Sequence, residues 1–463
     1  MTTTRMTRAL AALAMGCLLL MAVPAAGSAQ DSGTMPVLTN QPGGPNLNPA
    51  IDLFFQSYFL MQNDNDFDRT DPVYDANGRT VGVLATTFRP GLTFTPIDGI
   101  TLRYVLEIGE NVWSRNDLDD IDPNAEEQAL VRHKEVWAQV VSPDERFGIR
   151  SGYQYFYDPT HLVLDRHMGA VTLFTQWNTG RVSVAAGQVP DTIYEGLAAT
   201  NDADTRNDNN FEQDDFVFAA WGELLQDHVW QLNPGVFVRW DKTEVERPKT
   251  VVSALANVFW RHAEHGTLEL DVVGQLGRHE NAGLDNRDVD IMAGAAQLVL
   301  DYRFPVIGTR TAVLYFSGDD GDRYDQNDTG FEYSGWSKSR TMLLSENWLY
   351  DRYDNLDERA AAQKAGLVLA DEEFSVRFAD SLRCFAILGA GFTRDGANTD
   401  GETFLGGEGH LGVEFAPYDG HASFLLMGGG LLPGKAASQL QNEINRDSQD
   451  PIGSMQASMS LSF

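Results

Sequence analysis

Along most of the chain, hydrophobic and polar positions alternate with a period of two. Between Ile100 and Gly109, one face carries Ile100, Leu102, Tyr104, Leu106 and Ile108; the other carries Thr101, Arg103, Val105, Glu107 and Gly109. Thr267–His279 repeats the pattern: Leu268, Leu270, Val272, Gly274 and Leu276 oppose Glu269, Asp271, Val273, Gln275 and Gly277. Gln231–Asp241 does so again, with Leu232, Val236, Val238 and Trp240 against Asn233, Phe237, Arg239 and Asp241. This is the period of a strand whose two faces meet different surroundings. Such runs predict 18 strands, over 50–62, 79–95, 100–113, 130–141, 147–157, 168–177, 182–189, 214–224, 230–241, 250–261, 267–279, 289–302, 310–318, 364–378, 382–393, 404–416, 421–431 and 453–463. Segment 336–372 is ambiguous. Ser345–Asn355 reads as a strand or a loop insert and Arg359–Ala370 as a helix, which leaves 16 strands as the alternative.

The connections alternate too. Ile97-Asp98-Gly99, Ser142–Glu145, Asn178-Thr179-Gly180, His262–Gly266, Phe304–Gly308, Ala379–Ser381 and Pro417–Gly420 are short and have hairpin-turn composition. Between them lie longer polar stretches near 63–78, 114–129, 190–213, 319–345, 394–403 and 432–452. A soluble sandwich has no reason to place its long loops on alternate connections. A barrel with short periplasmic turns and long extracellular loops does. The expected fold is therefore all-β, a transmembrane antiparallel up-and-down β-barrel over 50–463. Trp113, Trp177, Trp230, Trp240 and Trp260 lie near strand ends, where aromatic girdles meet the membrane interfaces.

The N-terminus supplies an address. Arg5 and Arg8 precede an uncharged stretch, Ala9–Ser28, that ends in small residues. This reads as a secretory signal peptide over 1–29, followed by a periplasmic lead-in over 30–49. Beyond it no uncharged apolar run is long enough to cross a membrane as a helix.

Charge narrows the functional classes. The 463 residues carry 66 Asp and Glu against 34 Lys and Arg, a net −32, which excludes a nucleic-acid partner. Two cysteines exclude a disulfide scaffold. Segments 63–78, 114–129, 198–215 and 319–328 hold 22 acids against four arginines, so much of the charge is expected on outward loops. Asp319, Asp320 and Asp322 are candidates for Ca²⁺ but lack EF-hand spacing. Solvated loops facing outer-membrane lipid and lipopolysaccharide are the expected reading, with no metal and no cofactor. His133 with Glu135, His161 with Asp165, and His262 with His265 are the pairs that acid–base chemistry would use. No HExxH helix or ordered triad directs them, so no enzyme is expected.

Alternation turns Arg89, Arg103, Glu107, Arg150, Gln154, Arg239, Asp241, Asn257, Glu269, Asp271, Gln275, Gln297 and Arg377 toward the bore. An arginine ladder of Arg103, Arg150 and Arg239 is expected to oppose Glu107, Glu269 and Asp271, giving a transverse field.

Three segments resemble the alginate-export family of outer-membrane β-barrels. Gly152-Tyr153-Gln154-Tyr155-Phe156 is similar to its glycine–arginine–glutamine strand, with Tyr153 in the arginine's place. Tyr315-Phe316-Ser317-Gly318-Asp319-Asp320, with the acidic loop to Phe331, is similar to its SGD strand end. The third is Gly406–Gly430 with the terminal Phe463, whose alternating approach resembles the signal read by the barrel assembly machinery. The resemblance implies an 18-stranded monomeric pore passing an anionic polysaccharide. A diffusion or substrate-specific porin for small solutes and a non-conducting adhesin or scaffold barrel stand beside that reading.

Overall fold

A computed structural model describes residues 49–62, 81–112, 131–189, 215–226, 229–242, 247–262, 265–282, 287–319, 327–332, 337–345, 364–394, 399–441 and 449–463. The segment expected to be a signal peptide, most of the expected lead-in and Trp113 lie outside them. The strands are β1 (Ala50–Gln62), β2 (Val81–Ile97), β3 (Ile100–Val112), β4 (Val131–Val141), β5 (Phe147–Tyr157), β6 (Asp165–Trp177), β7 (Gly180–Val189), β8 (Asp215–Leu224), β9 (Trp230–Asp241) and β10 (Lys249–His262). They continue with β11 (Gly266–His279), β12 (Val289–Arg303), β13 (Ile307–Phe316), β14 (Asn327–Asp328), β15 (Leu367–Ala379), β16 (Leu382–Phe392), β17 (Phe404–Phe415), β18 (Ala422–Pro433) and β19 (Ile452–Ser462). A short helix, α1 (Lys435–Gln441), lies between the last two.

Neighbouring strands pair antiparallel in chain order, and β19 closes on β1 from Phe54↔Ser462 to Gln62↔Ser454. The exception is β14, a two-residue strand that pairs in parallel with Asp290 and Ile291 of β12, so that β13 pairs directly with β15. The wall is therefore a closed antiparallel barrel of 18 strands. Closure matters because lipid offers no hydrogen bonds: a sheet without edges satisfies its own backbone.

The sequence predicts these same 18 segments, with ends displaced by at most three residues. The helix expected over Arg359–Ala370 is corrected at its described end. Leu367 and Leu369 are fully enclosed while Val368 between them is exposed, a period of two that belongs to β15. Ser345 lies in a bend rather than a strand. Short connections run from two residues, as at 98–99, to six, as at 416–421. Long ones occupy the other end of the barrel. Gly99 shows how tight the short end is: its φ is +81°, and a Cβ there would lie 2.6 Å from the Val141 carbonyl oxygen.

Parity sorts the two faces. Val272, Leu276, Met292, Leu388, Leu411 and Leu426 are exposed on an apolar outer belt, while their strand neighbours Val273 and Ile387 are buried within. Trp230 and Trp260 stack on the outside at the short-turn end, with centroids 5.4 Å apart, and Trp240 is exposed at the other end of β9. Aromatic side chains at both rims of an apolar band are the girdle of a barrel in a bilayer.

The interior is not empty. One apolar cluster joins wall residues such as Phe237, Leu314 and Leu369 to Leu162 and Leu164 of the β5–β6 connection, Phe331 and Leu344 of the β13–β15 connection, and Ala436, Ala437 and Leu440 of α1. Three long connections thus fold into the barrel.

Candidate functional site

The site is the enclosed face of the wall, with the loop segments that lie on it. Glu107, Gln154, Asn257, Asp271, Gln275 and Gln297 are buried there. On β2–β4 the charges pair. Arg89 bonds Glu107, which also meets Lys134 Nζ at 3.3 Å. Arg103 donates to both Asp52 carboxylate oxygens at 3.0 Å, to Glu135 at 3.2 Å and to the Thr93 hydroxyl at 2.8 Å. On β9, Arg239 Nε donates to Asp215 Oδ2 at 2.6 Å, and its Nη2 lies 3.5 Å from Asp241. Gln154 donates to the Ala170 carbonyl at 3.1 Å. Arg377 is exposed near the short-turn end, opposite Arg383.

The most organised part is a strap formed by segments 327–332 and 337–345. It crosses the inner surface from β11 to β17. Gln275 mimics a strand partner, donating to the Glu332 carbonyl at 3.1 Å and accepting from the Glu332 N–H at 2.9 Å. Lys338 Nζ donates to Glu269 at 2.8 Å and to Asp271 at 2.6 Å, while its backbone N–H donates to Gln297 at 2.7 Å. Asn257 Nδ2 donates to the same two carboxylates, at 2.7 and 2.8 Å. Farther along, Arg310 bonds the Lys338 carbonyl and Arg340 bonds Glu373. Arg383 joins Glu373 to Glu414, at 2.7 and 2.9 Å. Finally the backbone N–H groups of Met342, Leu343 and Leu344 converge on the Glu408 carboxylate.

Arg150 and Arg181 differ from these. Arg150 donates Nε and Nη2 to Gln139 Oε1, at 3.0 and 2.8 Å, and lies over the Trp137 ring at 4.4 Å. Arg181 lies over Phe174 at 3.9 Å, and its buried Nε has no hydrogen-bond partner. Neither has a carboxylate within ion-pair distance among the described residues. Stacking on aromatic faces supports a guanidinium without cancelling its charge.

The expected ladder is thus unequal. Arg103 and Arg239 are tied to carboxylates on their own side, Glu107 belongs to Arg89 and Lys134, and Glu269 and Asp271 belong to Lys338. Of the three arginines named for it, Arg150 alone has no carboxylate at ion-pair distance among the described residues.

Asp319 accepts from the Thr329 N–H and hydroxyl, at 3.2 and 3.3 Å, while Asp320 and Asp322 lie outside the described residues. No group of three or more metal-ligating side chains occurs among the described residues. His133 meets Tyr104 at 3.0 Å on the outer face, whereas Glu135 binds Arg103 within, so the wall separates them. His161 and Asp165 meet at 2.7 Å at the β5–β6 connection, where His161 stacks on Tyr157. His262 and His265 pack on Trp260 and Phe304. The terminal Phe463 exchanges backbone bonds with Leu53 at 2.9 Å and stacks on His421.

Sequence reasoning misses Arg181, Arg310, Lys338, Arg340, Glu373 and Glu408. Arg310, Glu373 and Glu408 sit on predicted strands at enclosed parity, and the alternation could have found them. Lys338 and Arg340 carry no such signal, because a strap follows no period.

No family model matches the chain, and no curated protein matches it. Solved structures do. OccK8 (OprE) of Pseudomonas aeruginosa matches with a TM-score of 0.57 at 9% identity, covering 91% of this chain and 99% of that one. Acinetobacter baumannii OccAB1 matches with 0.55 at 11%, covering 90% and 96%. Pseudomonas aeruginosa OpdK, solved with vanillate, matches with 0.53 at 11%, covering 90% and 98%. The likeness is one of fold. What is shared is the antiparallel barrel, seen over nearly the whole length of both chains.

Proposed function

We propose that the protein is an outer-membrane diffusion channel for small solutes, favouring those that carry a carboxylate. The observation that carries this reading is the pair Arg150 and Arg181. They put two positive charges on aromatic platforms in the bore, with no carboxylate at ion-pair distance among the described residues. The other lumen cations around the strap and on β2–β4 have carboxylate partners. A cation lacking one attracts a passing anion more than a paired one does, because a desolvated charge is weakly screened. The strap also favours this reading over an extended polyanionic polysaccharide, since it occupies part of the bore between β11 and β17. That OpdK was solved with vanillate, a small aromatic carboxylate, is consistent with such a cargo for this fold.

Uptake into vesicles carrying the refolded protein tests the proposal. A small monocarboxylate is expected to enter faster than a neutral sugar of the same size, and alginate oligomers not to enter. Equal rates for acid and sugar would remove the preference. Entry of the oligomers would restore the polysaccharide reading.

A further inference from the structure

We propose that Glu408 is the positioning residue of the bore: its carboxylate latches the strap to β17 by filling an anion nest made by the strap's own backbone. The inference rests on the channel reading for its consequence, but the latch itself is a matter of geometry. Three consecutive N–H groups point at one carboxylate. Met342 donates to Oε1 at 2.5 Å, Leu343 to both oxygens at 3.1 Å, and Leu344 to Oε2 at 2.9 Å. Successive N–H groups converging in this way form an anion-binding concavity. Bonds to an ionised acceptor are roughly twice as strong as neutral ones.

The surroundings suit a latch. Glu408 and His410 have fully buried side chains, and His410 Nε2 bonds the same carboxylate. Opposite them, β16 lacks side chains where the strap passes. A Cβ at Gly389 would lie 2.4 Å from Thr341 Cγ2, and one at Gly391 would lie 3.1 Å from Leu344. Met342 reaches a second apolar cluster containing Tyr58 and Leu60 of β1 and Met427 of β18. Nowhere else among the described contacts of the strap does a single wall side chain hold three backbone groups. Without that carboxylate, three backbone N–H groups, two of them buried, would lose their acceptor, and the strap would leave the wall.

Because the nest is a receptor for a carboxylate, a free one should replace the missing side chain. The experiment compares wild type, Glu408→Ala and Glu408→Gln in planar bilayers, with chloride exchanged for acetate or formate at constant ionic strength. Glu408→Ala is expected to show flickering steps of altered conductance that acetate or formate returns toward wild type. Glu408→Gln should flicker without rescue, since its amide fills the space and offers one acceptor oxygen. A wild-type trace from Glu408→Ala, or flicker that neither carboxylate changes, would overturn the latch.

A second readout does not require conduction. In a Cys384→Ser background, Leu344→Cys should react slowly with a water-soluble thiol reagent. Adding Glu408→Ala should speed labelling roughly tenfold, the factor expected for losing one charge-assisted hydrogen bond or more. Acetate should slow it again; labelling unchanged by Glu408→Ala would overturn the proposal. Wild type that does not conduct, while labelling behaves as expected, would instead reject the channel reading and leave the latch standing.

Discussion

At the scale of the residue, parity decides whether a side chain meets lipid or the bore. Val272 is half exposed on the outer belt, and its neighbours Asp271 and Val273 are buried inside. Val272→Arg should cost about 2–4 kcal/mol of barrel stability if it lies near the bilayer midplane. Urea unfolding of the protein refolded in vesicles measures this. A loss below about 0.5 kcal/mol, the usual scatter of surface substitutions, would contradict the strand register. Inside, Lys338 faces Glu269 and the fully buried Asp271. Lys338→Met would leave both acids without their cation. Breaking a buried pair from one side costs about 3–5 kcal/mol, and the same variant should shift the reversal potential toward cation selectivity. An unshifted potential would mean that these acids do not face the ion path.

At the scale of the element, the strands were legible because burial on one face writes itself into every second residue. Where the reading fell short, a local reason exists. Asn178-Thr179-Gly180 has the composition of a turn and so predicts a strand from 182, but pairing with β6 and β8 starts the strand at Gly180 and brings Arg181 into it. The Arg359–Ala370 segment has good helix formers, but its last residues pair with β13 and β16, and tertiary pairing overrides propensity. The strap is aperiodic. Its course is set by side chains of the wall, Gln275, Gln297 and Glu408, that are far away in sequence. It also depends on missing side chains. Gly389→Val should push Thr341 off β16 at an overpacking cost of about 1–3 kcal/mol, and change the single-channel conductance. Gly407→Ala should do neither, because a Cβ there meets nothing closer than 3.9 Å. Equal conductance in both variants would place the strap elsewhere in the working protein.

At the scale of the molecule, a net charge of −32 says little about what the bore prefers. Many acids fall in the long connections, and many of those in the wall are neutralised pairwise, as in Arg103 with Asp52 and Glu135. Asp215 and Asp328, at the edges of acidic stretches, are in fact tied to Arg239 and Lys364. Among the described residues, Arg150 and Arg181 keep their guanidiniums on aromatic rings with no carboxylate at ion-pair distance. Composition could exclude nucleic acid, but it could not reveal which charges are cancelled, since that depends on register. The most direct test of the account is single-channel recording across a salt gradient. It compares wild type with the Arg150→Gln, Arg181→Gln double variant, with benzoate added to one side. The account predicts stepwise conductance, a current reduction by benzoate in wild type, and loss of that reduction in the double variant. Absence of conductance, or the same benzoate effect in both proteins, would contradict it.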